Sequence, residues 1–391
     1  MSKSKVSISY CKNYHQEEVD RAVDECLSQI GGIESIVKEN QKVLLKVNMI
    51  SASSPDQAVT THPTIVKSMV KQVLKVGGVP LIGDSPGNAY VNMDKAFEIT
   101  GFKSVALETG ALLVKFTSDG IVTIPNPGNS CIKNLYISKL VLDCDVIISL
   151  PKLKTHNLCL YTGAIKNMFG TVTGFHKGEI HCYAPKPEEF ARAIVDIFTN
   201  VKPKLSLIDA VVGMEGHGPT AGTPRQVGLI GASFDSVALD SVFSKIIGYN
   251  PEDIDIIKEA SSRNLGVSDL NNIEILGPPL SQLIIKDYKK VKNANLILKY
   301  IPKFILNLFG PLAQKLIKIY PSLIIEKCKS CFICLEHCPV KAISKNNNKF
   351  PVWDYDKCIY CYCCHELCPH KAIEIKQSWL ARKWVIGPQD S

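Results

Sequence analysis

No stretch of 18 consecutive apolar residues occurs in this chain of 391 residues, so no membrane-spanning helix is expected. The first residues, Met1-Ser2-Lys3-Ser4-Lys5, run straight into an alternating segment without the apolar core of a signal peptide. No Gly-x-Gly-x-x-Gly follows a strand with the acidic partner that a dinucleotide site requires, and no glycine-rich turn leads into Gly-Lys-Ser or Gly-Lys-Thr. A flavin, nicotinamide or P-loop nucleotide site is therefore not evident. Basic residues do not interleave with aromatic ones in a recognition pattern, which argues against nucleic acid as a partner. These absences point to a globular cytoplasmic protein, and a hydrophobic content of 46% agrees.

Cysteine, in contrast, is plentiful. Of 15 cysteines, eight stand in two runs, Cys328-x2-Cys331-x2-Cys334-x3-Cys338-Pro339 and Cys358-x2-Cys361-x2-Cys364-x3-Cys368-Pro369. The runs are halves of an internal repeat: an offset of 30 positions also carries Lys341-Ala342-Ile343 onto Lys371-Ala372-Ile373. Each half reads as a loop, a short cysteine-bearing helix and a strand. Spacings of two residues let one loop wrap three corners of a cube, and soft thiolates suit iron in tetrahedral sulfur surroundings. A zinc module would pair two Cys-x2-Cys units across a long gap, which this pattern does not do.

From about Leu323 to Ile375 the chain resembles the two-cluster bacterial ferredoxin family, with all eight ligand positions matched. The resemblance implies two 4Fe-4S clusters that carry low-potential electrons, the fourth cysteine of each run ligating the other cluster. Cluster one would take Cys328, Cys331, Cys334 and Cys368; cluster two would take Cys338, Cys358, Cys361 and Cys364. Cys363 is an additional thiol, to be read as an alternative ligand, an exposed thiol or, most plainly, a bystander. His337, His365 and His370 stand beside ligands as local groups. The remaining cysteines, Cys11, Cys26, Cys131, Cys144, Cys159 and Cys182, are scattered, as in a reducing cytoplasm. Exposed low-potential clusters would suit an anaerobe.

Charge divides the chain. Residues 281–391 hold 18 Lys and Arg against 8 Asp and Glu, while the whole chain carries a net +8. A basic electron-transfer segment suggests an acidic redox partner protein, because complementary charge speeds encounter. Within residues 281–320 lysines interleave with apolar residues around Pro302 and Gly310-Pro311, giving a basic helical linker; peripheral membrane contact there is a minor reading.

Residues 1–280 alternate strands with helices, which predicts an α/β domain with a mostly parallel sheet and flanking helices, followed by a small α+β ferredoxin-like domain over 321–378 and a tail over 379–391. Strands are expected at Lys5–Tyr10, Lys42–Val47, Val79–Gly83, Ala111–Phe116, Val146–Leu150, Lys204–Ile208, Val227–Ile230 and Ile273–Leu276. Helices are expected at Gln16–Ile30 and Pro63–Val76, the second with proline in its first turn and Gly77 at its end.

Two segments of this domain are candidates for chemistry. Ser149–Tyr183 follows a buried strand and is dense in Lys152, Lys154, His156, Lys166, His176, Lys177 and His181, as a binding loop on a rigid scaffold would be. Lys152 and Lys154 would hold a small anionic substrate. Lys166 would serve as base or covalent anchor, and His156 as a proton carrier. Asp209–Pro224 contains Gly213, Gly216, Gly218 and Gly222; Gly216 and Gly218 would shape a backbone nest for the substrate, and His217 beside Glu215 would do acid–base work. Asp84-Ser85-Pro86-Gly87 and Thr61-His62-Pro63 are expected near the same cleft, and Cys159 or Cys182 is a further redox candidate.

The runs LPKLKTH, TGAIKNMFG, DAVVGMEGHGPTAGTP and GASFDSVALDSV look like the domain of unknown function 362 family across most of residues 40–260. Members of that family resemble this chain in carrying a two-cluster ferredoxin module behind the domain, and the family brings no settled reaction. Over some twenty residues, His156-x9-Lys166 with Thr162-Gly163-Ala164 before the lysine is similar to the lactate racemase family, whose lysine carries a nickel-pincer cofactor. That family's later nickel-ligating histidine has no clear equivalent here, where only His181 and Cys182 fall nearby. The leading expectation is an iron–sulfur oxidoreductase that passes electrons to a substrate or an unidentified second cofactor in the α/β domain. The alternatives are an electron-carrying or cofactor-assembly accessory protein, and a non-redox, racemase-like enzyme.

Overall fold

The computed structural model describes residues 3–87, 91–126, 128, 130–174, 176–291 and 319–378. The strands of the first domain are β1 (Ser4–Tyr10), β2 (Lys42–Val47), β3 (Val79–Asp84), β4 (Leu112–Lys115), β5 (Ile121–Pro125), β6 (Asn134–Ser138), β7 (Val146–Leu150), β8 (Lys152–His156), β9 (Leu160–Thr162), β10 (Leu205–Glu215), β11 (Thr223–Ser233) and β12 (Ile273–Leu276). Ten of them form one sheet in the order β12-β1-β11-β10-β7-β2-β3-β4, with β8 attached to β10 and β9 to β8. Most neighbours run parallel; β11 is antiparallel to both β1 and β10, and β9 is antiparallel to β8.

The central strand shows how the sequence builds two cores. A strand's side chains alternate between faces. Val43, Leu45 and Val47 of β2 enter the core under the helices Gln16–Ile30 and Pro63–Lys75. Leu44 enters the opposite core, beneath the helices Pro187–Asn200 and Ser236–Ile246. The same period puts Lys46 on the Leu44 side with no solvent exposure. A lysine there needs a partner, and the end of the sheet supplies one.

Both expected binding loops prove to be regular structure. Ser149–Tyr183 contains β8, β9 and the helices Ala164–Asn167 and His176–Tyr183, and Lys152 through Tyr161 are all buried. Asp209–Pro224 belongs to a long hairpin of β10 and β11, so that only its tip is a turn. The apolar stretches Lys204–Ile208 and Val227–Ile230 were the visible parts of these two strands. Their polar extensions escape a search for apolar runs.

The first domain also runs past residue 280. Leu283 and Tyr288 are buried, and the Tyr288 hydroxyl donates to the Met214 carbonyl at 3.0 Å. Most of the expected basic helical linker, residues 292–318, and the tail from 379 lie outside the described residues. Among the described residues, no helix is long and apolar enough to cross a membrane.

The cysteine module is a pseudo-twofold unit. β13 (Ile319–Leu323) pairs with β16 (Ile373–Gln377), and β14 (Ile343–Lys345) pairs with β15 (Pro351–Trp353). One-turn helices, Ile333–Glu336 and Cys363–Glu366, carry cysteines in each half. Ser330, Phe332 and Lys341 have positive φ, and so do Tyr360, Tyr362 and Lys371, their equivalents in the repeat. Left-handed backbone at non-glycine residues costs roughly 1–2 kcal/mol each. Its recurrence at matching positions shows that the shape of the loop, rather than the identity of its side chains, is what the repeat preserves.

Candidate functional site

The cysteines line two separate voids. Cys328, Cys331, Cys334 and Cys368 surround one. Cys338, Cys358, Cys361 and Cys364 surround the other. In each set three thiols come from one run and the fourth from the other run. Among the described residues, no group of three or more His, Cys, Asp and Glu closes on a single-ion site. Four thiolates spread around a void fit the donor set of a 4Fe-4S cluster. Backbone amides point at the sulfurs in matching fashion: Ala342 N–H donates to Cys338 Sγ at 3.2 Å, and Ala372 N–H to Cys368 Sγ at 3.3 Å. Such bonds stabilise anionic sulfur and help to set the potential of a cluster.

Beside the second void lies a cavity of about 290 Å3 between the two domains. One wall is the cysteine module, through Cys338, Pro339, Cys363, Glu366 and Leu367. The opposite wall comes from the ends of β2 and β3 and from the two helices of the 149–183 segment, including Asn48, Asp84, Lys166, Lys177 and His181.

Under that wall runs a buried polar network. Lys46 Nζ lies 2.7 Å from Asp84 Oδ1, with side chains 0% and 4% exposed. Asp84 also accepts from the Met49 amide at 2.6 Å and the Ser85 amide at 2.7 Å. Lys154 Nζ donates to Asn48 Oδ1 at 2.5 Å and to the Val59 carbonyl at 2.7 Å. Burial drives its pKa well below the usual lysine range, helped by the charges of Lys166 and Lys152. Lys177, bonded to the Ser85 and Pro86 carbonyls, falls to about 7 chiefly through burial. A Cβ on Gly170 would lie 2.1 Å from Asp84 Oδ1, so only glycine lets the backbone pass over the ion pair.

Lys166 differs from these lysines. Half-buried, it makes no hydrogen bond or ion pair with the described residues, and its ammonium lies 5.8 and 5.9 Å from the ring centres of Phe169 and Phe190. Nearby, His181 stacks on Phe190 with ring centres 4.4 Å apart. Its Nδ1 is buried without a partner among the described residues. Burial, with the Lys166 charge, pushes its pKa down to about 3.

Glu366 joins the two domains. It sits between Cys364 and Cys368 and reaches to 3.4 Å from His156 Nε2, too poorly aligned for a hydrogen bond. The amides of Leu158 and Cys159 donate to His156 Nδ1 at 3.1 and 3.3 Å, which places the proton of the neutral ring on Nε2, facing the carboxyl. Burial raises the Glu366 carboxyl to about 7, against the pull of Lys166 and Lys154. The tip of the β10–β11 hairpin grips the same short helix: Thr220 Oγ1 donates to the Glu366 carbonyl at 3.0 Å, and the His217 carbonyl faces His365 Nε2 at 3.5 Å.

Of the residues expected to do chemistry in the first domain, Lys166 lines the cavity, and His156 and Lys154 lie just behind its wall. Lys152 lies elsewhere. Its Nζ is 2.9 Å from Asp209 Oδ2, both side chains fully buried, and it donates to the Tyr14 hydroxyl at 2.6 Å. Its charge is spent on that pair and is closed off from a substrate anion. Gly216 and Gly218 do not line the cavity. Gly216 makes the turn with φ 75°, and a Cβ on Gly218 would lie 2.2 Å from the Thr155 carbonyl oxygen, so these glycines serve the hairpin and its contact with β8. His217 is exposed beside the domain contact, its Nδ1 3.4 Å from Asn157 Oδ1. Asp84, Ser85, Gly87, Lys177, His181 and Cys182 do line the cavity, whereas Cys159 is buried in the core. Glu366 and Asn167 were not singled out in the sequence. A glutamate inside a cysteine run looks like surface charge until the second domain is in place.

Comparison with known proteins gives two family matches. The family described as "Domain of unknown function (DUF362)" matches residues 43–245, and the "4Fe-4S binding domain" matches residues 351–374. The chain is 32% identical over 264 residues to "Thylakoid-associated protein sll1697" from Synechocystis sp., covering 67% of this chain and 80% of that protein. Among solved structures, the lactate racemase apoprotein from Thermoanaerobacterium thermosaccharolyticum has a TM-score of 0.39 at 12% identity, over 61% of this chain and 56% of that one. The chain thus spans little more than half of that structure, and a likeness of this size says nothing about activity.

Proposed function

We propose, for a chain that belongs to the DUF362 family and carries a 4Fe-4S binding domain, that two 4Fe-4S clusters conduct electrons from an external donor to a small molecule in the interdomain cavity. The observation that carries this reading is the shared wall: Cys338 belongs both to the second cysteine void and to the cavity. Donor group and reaction chamber are then parts of one chain, at high effective concentration. Electrons enter by the first void, where Cys331 is exposed and Lys329 and His370 stand at the rim. A small acidic one-electron carrier suits that basic rim. They leave by the second void, whose rim includes Pro339, Trp353 and Tyr362 and no charged side chain. When bound, the clusters supply one-electron reducing power; the protein's part is to shield the cavity and to place Glu366 and His156 at its edge as proton carriers.

The test starts with protein purified without oxygen. About eight irons per chain are expected, with reoxidation of the reduced protein accelerated by a substrate from a small-molecule panel. Cys364→Ala should abolish that acceleration while a reduced acidic ferredoxin still reduces the remaining cluster. Four irons in the intact protein, or unchanged substrate-dependent reoxidation in Cys364→Ala, would refute the proposal.

A further inference from the structure

The charges around the cavity do not balance. Lys46 and Asp84 neutralise one another. Beyond them the Lys166 ammonium lines the cavity without a carboxylate within ion-pair distance among the described residues; Glu179 is tied to His176, Glu366 lies 3.4 Å from His156, and Glu336 is exposed. Among the described residues Lys154 and Lys177 bond to neutral oxygens, and burial holds down the pKa of each. Among the described residues Lys166 has no oxygen partner, and the buried His181 Nδ1 also lacks one. A half-buried ammonium without a counter-charge is costly, and an anion in the cavity would relieve that cost at Lys166.

A second observation concerns space. Gly178 lies inside the helix His176–Tyr183 and lines the cavity, and a Cβ built on it meets nothing within 4 Å. Its φ is not left-handed, so neither packing nor backbone shape calls for glycine. Glycine is a poor helix former. What the missing side chain leaves is room in the cavity.

We infer that the cavity binds a small organic carboxylate, its anionic end paired with the Lys166 ammonium and a ring nitrogen of His181, and its body lying over Gly178 and against Phe169. Carboxylate is favoured over phosphate because the backbone donors at the start of the helix that carries Lys166 are already used. The amides of Ala164 and Ile165, at the start of the helix that carries Lys166, donate to Asp240 at 2.7 and 3.0 Å. The body faces Met49, Ile50 and Leu367, which suits a short hydrocarbon or a small ring. This inference takes the cavity from the proposed function and names what fills it; it requires no electron transfer.

The test is chemical footprinting of Lys166 in anaerobically purified full-length protein, by acetylation with a sulfosuccinimidyl ester and mass spectrometry. The probes are butyrate and benzoate, with butyramide, benzamide and inorganic phosphate as controls. The carboxylates should slow acetylation of Lys166 at least about tenfold at saturation, with the amides and phosphate without effect at equal concentration. Calorimetry should show affinity for the carboxylate falling at least about tenfold in Lys166→Met and in Gly178→Val. Gly178→Val puts its side chain into open space and should retain full iron content. Protection by the amides, equal protection by phosphate, no protection at all, or unchanged affinity in both variants would overturn the inference. Iron content and substrate-dependent reoxidation are read separately, so failure here is distinguishable from failure of the electron-transfer reading.

Discussion

Around the void of Cys328, Cys331, Cys334 and Cys368 the chain places Lys329, His370 and Phe332, with the Lys345 ammonium 4.0 Å from the Phe332 ring centre. Around the void of Cys338, Cys358, Cys361 and Cys364 it places Val340, Trp353, Tyr362 and the wall of the cavity. The backbone is the same in both halves, down to the left-handed residues. A duplicated loop has thus been given two environments, one facing solvent and basic, the other apolar and covered by a second domain. Local sequence makes the cysteine loop, and tertiary packing gives each copy its own surroundings.

The sharpest way to break this comparison is to remove one thiol from each half. Cys334→Ala and Cys364→Ala should each lower iron from about eight to about four per chain, each abolishing electron delivery into the cavity. Iron analysis and anaerobic stopped-flow spectroscopy read both. Loss of all iron in either variant would mean that the halves are a single unit.

The cavity side should also prove the more fragile. Asp84→Ala leaves Lys46 buried without its partner and should cost about 3–5 kcal/mol, measured by urea denaturation. The exposed Lys71–Asp20 pair, at 46% and 32% exposure, is the contrast: Asp20→Ala should cost no more than about 1 kcal/mol. On the solvent side, Lys329→Glu should slow reduction by an acidic ferredoxin roughly threefold to tenfold, with the difference shrinking at high salt. Reduction by the methyl viologen radical cation should be unchanged or faster. Equal slowing of both donors would remove the docking role from the first void.

The smallest effect expected is a pH slope. Folding holds His181 neutral down to about pH 3, through burial first and Lys166 second, whereas in the unfolded chain the ring takes a proton below about 6.5. The unfolded state then binds more protons, so this stability is complete above pH 6.5 and declines as the pH falls toward 3. His62, pushed down to about 4 by burial, adds to the decline in the same sense. His181→Phe keeps a ring against Phe190 and should flatten the fall in melting temperature between pH 7 and about pH 5.5.

Much of the fold was legible because it is written in local periodicity. The strands Lys42–Val47, Val146–Leu150 and Ile273–Leu276 and the helix Gln16–Ile30 stand where apolar spacing puts them. The cysteine voids follow from a repeat that any reader of the chain can align. Lys152 and Lys154 were harder, because their environment is set by residues remote in sequence: Asp209 lies 57 positions from Lys152, and Asn48 lies 106 from Lys154. A lysine that will be buried against a distant acid looks, in one dimension, like a lysine that will hold a substrate. Glu366 was harder still, since its role exists only where two domains meet.

The helix Cys363–Glu366 is four residues long, too short to hold its own shape in water. It carries Cys364 and is flanked by Cys361 and Cys368, so whatever the thiols bind also fixes the carboxyl that faces His156 and the leucine that lines the cavity. Loss of iron from these cysteines would loosen that wall of the cavity at the same time. The chain is built to fail as a whole.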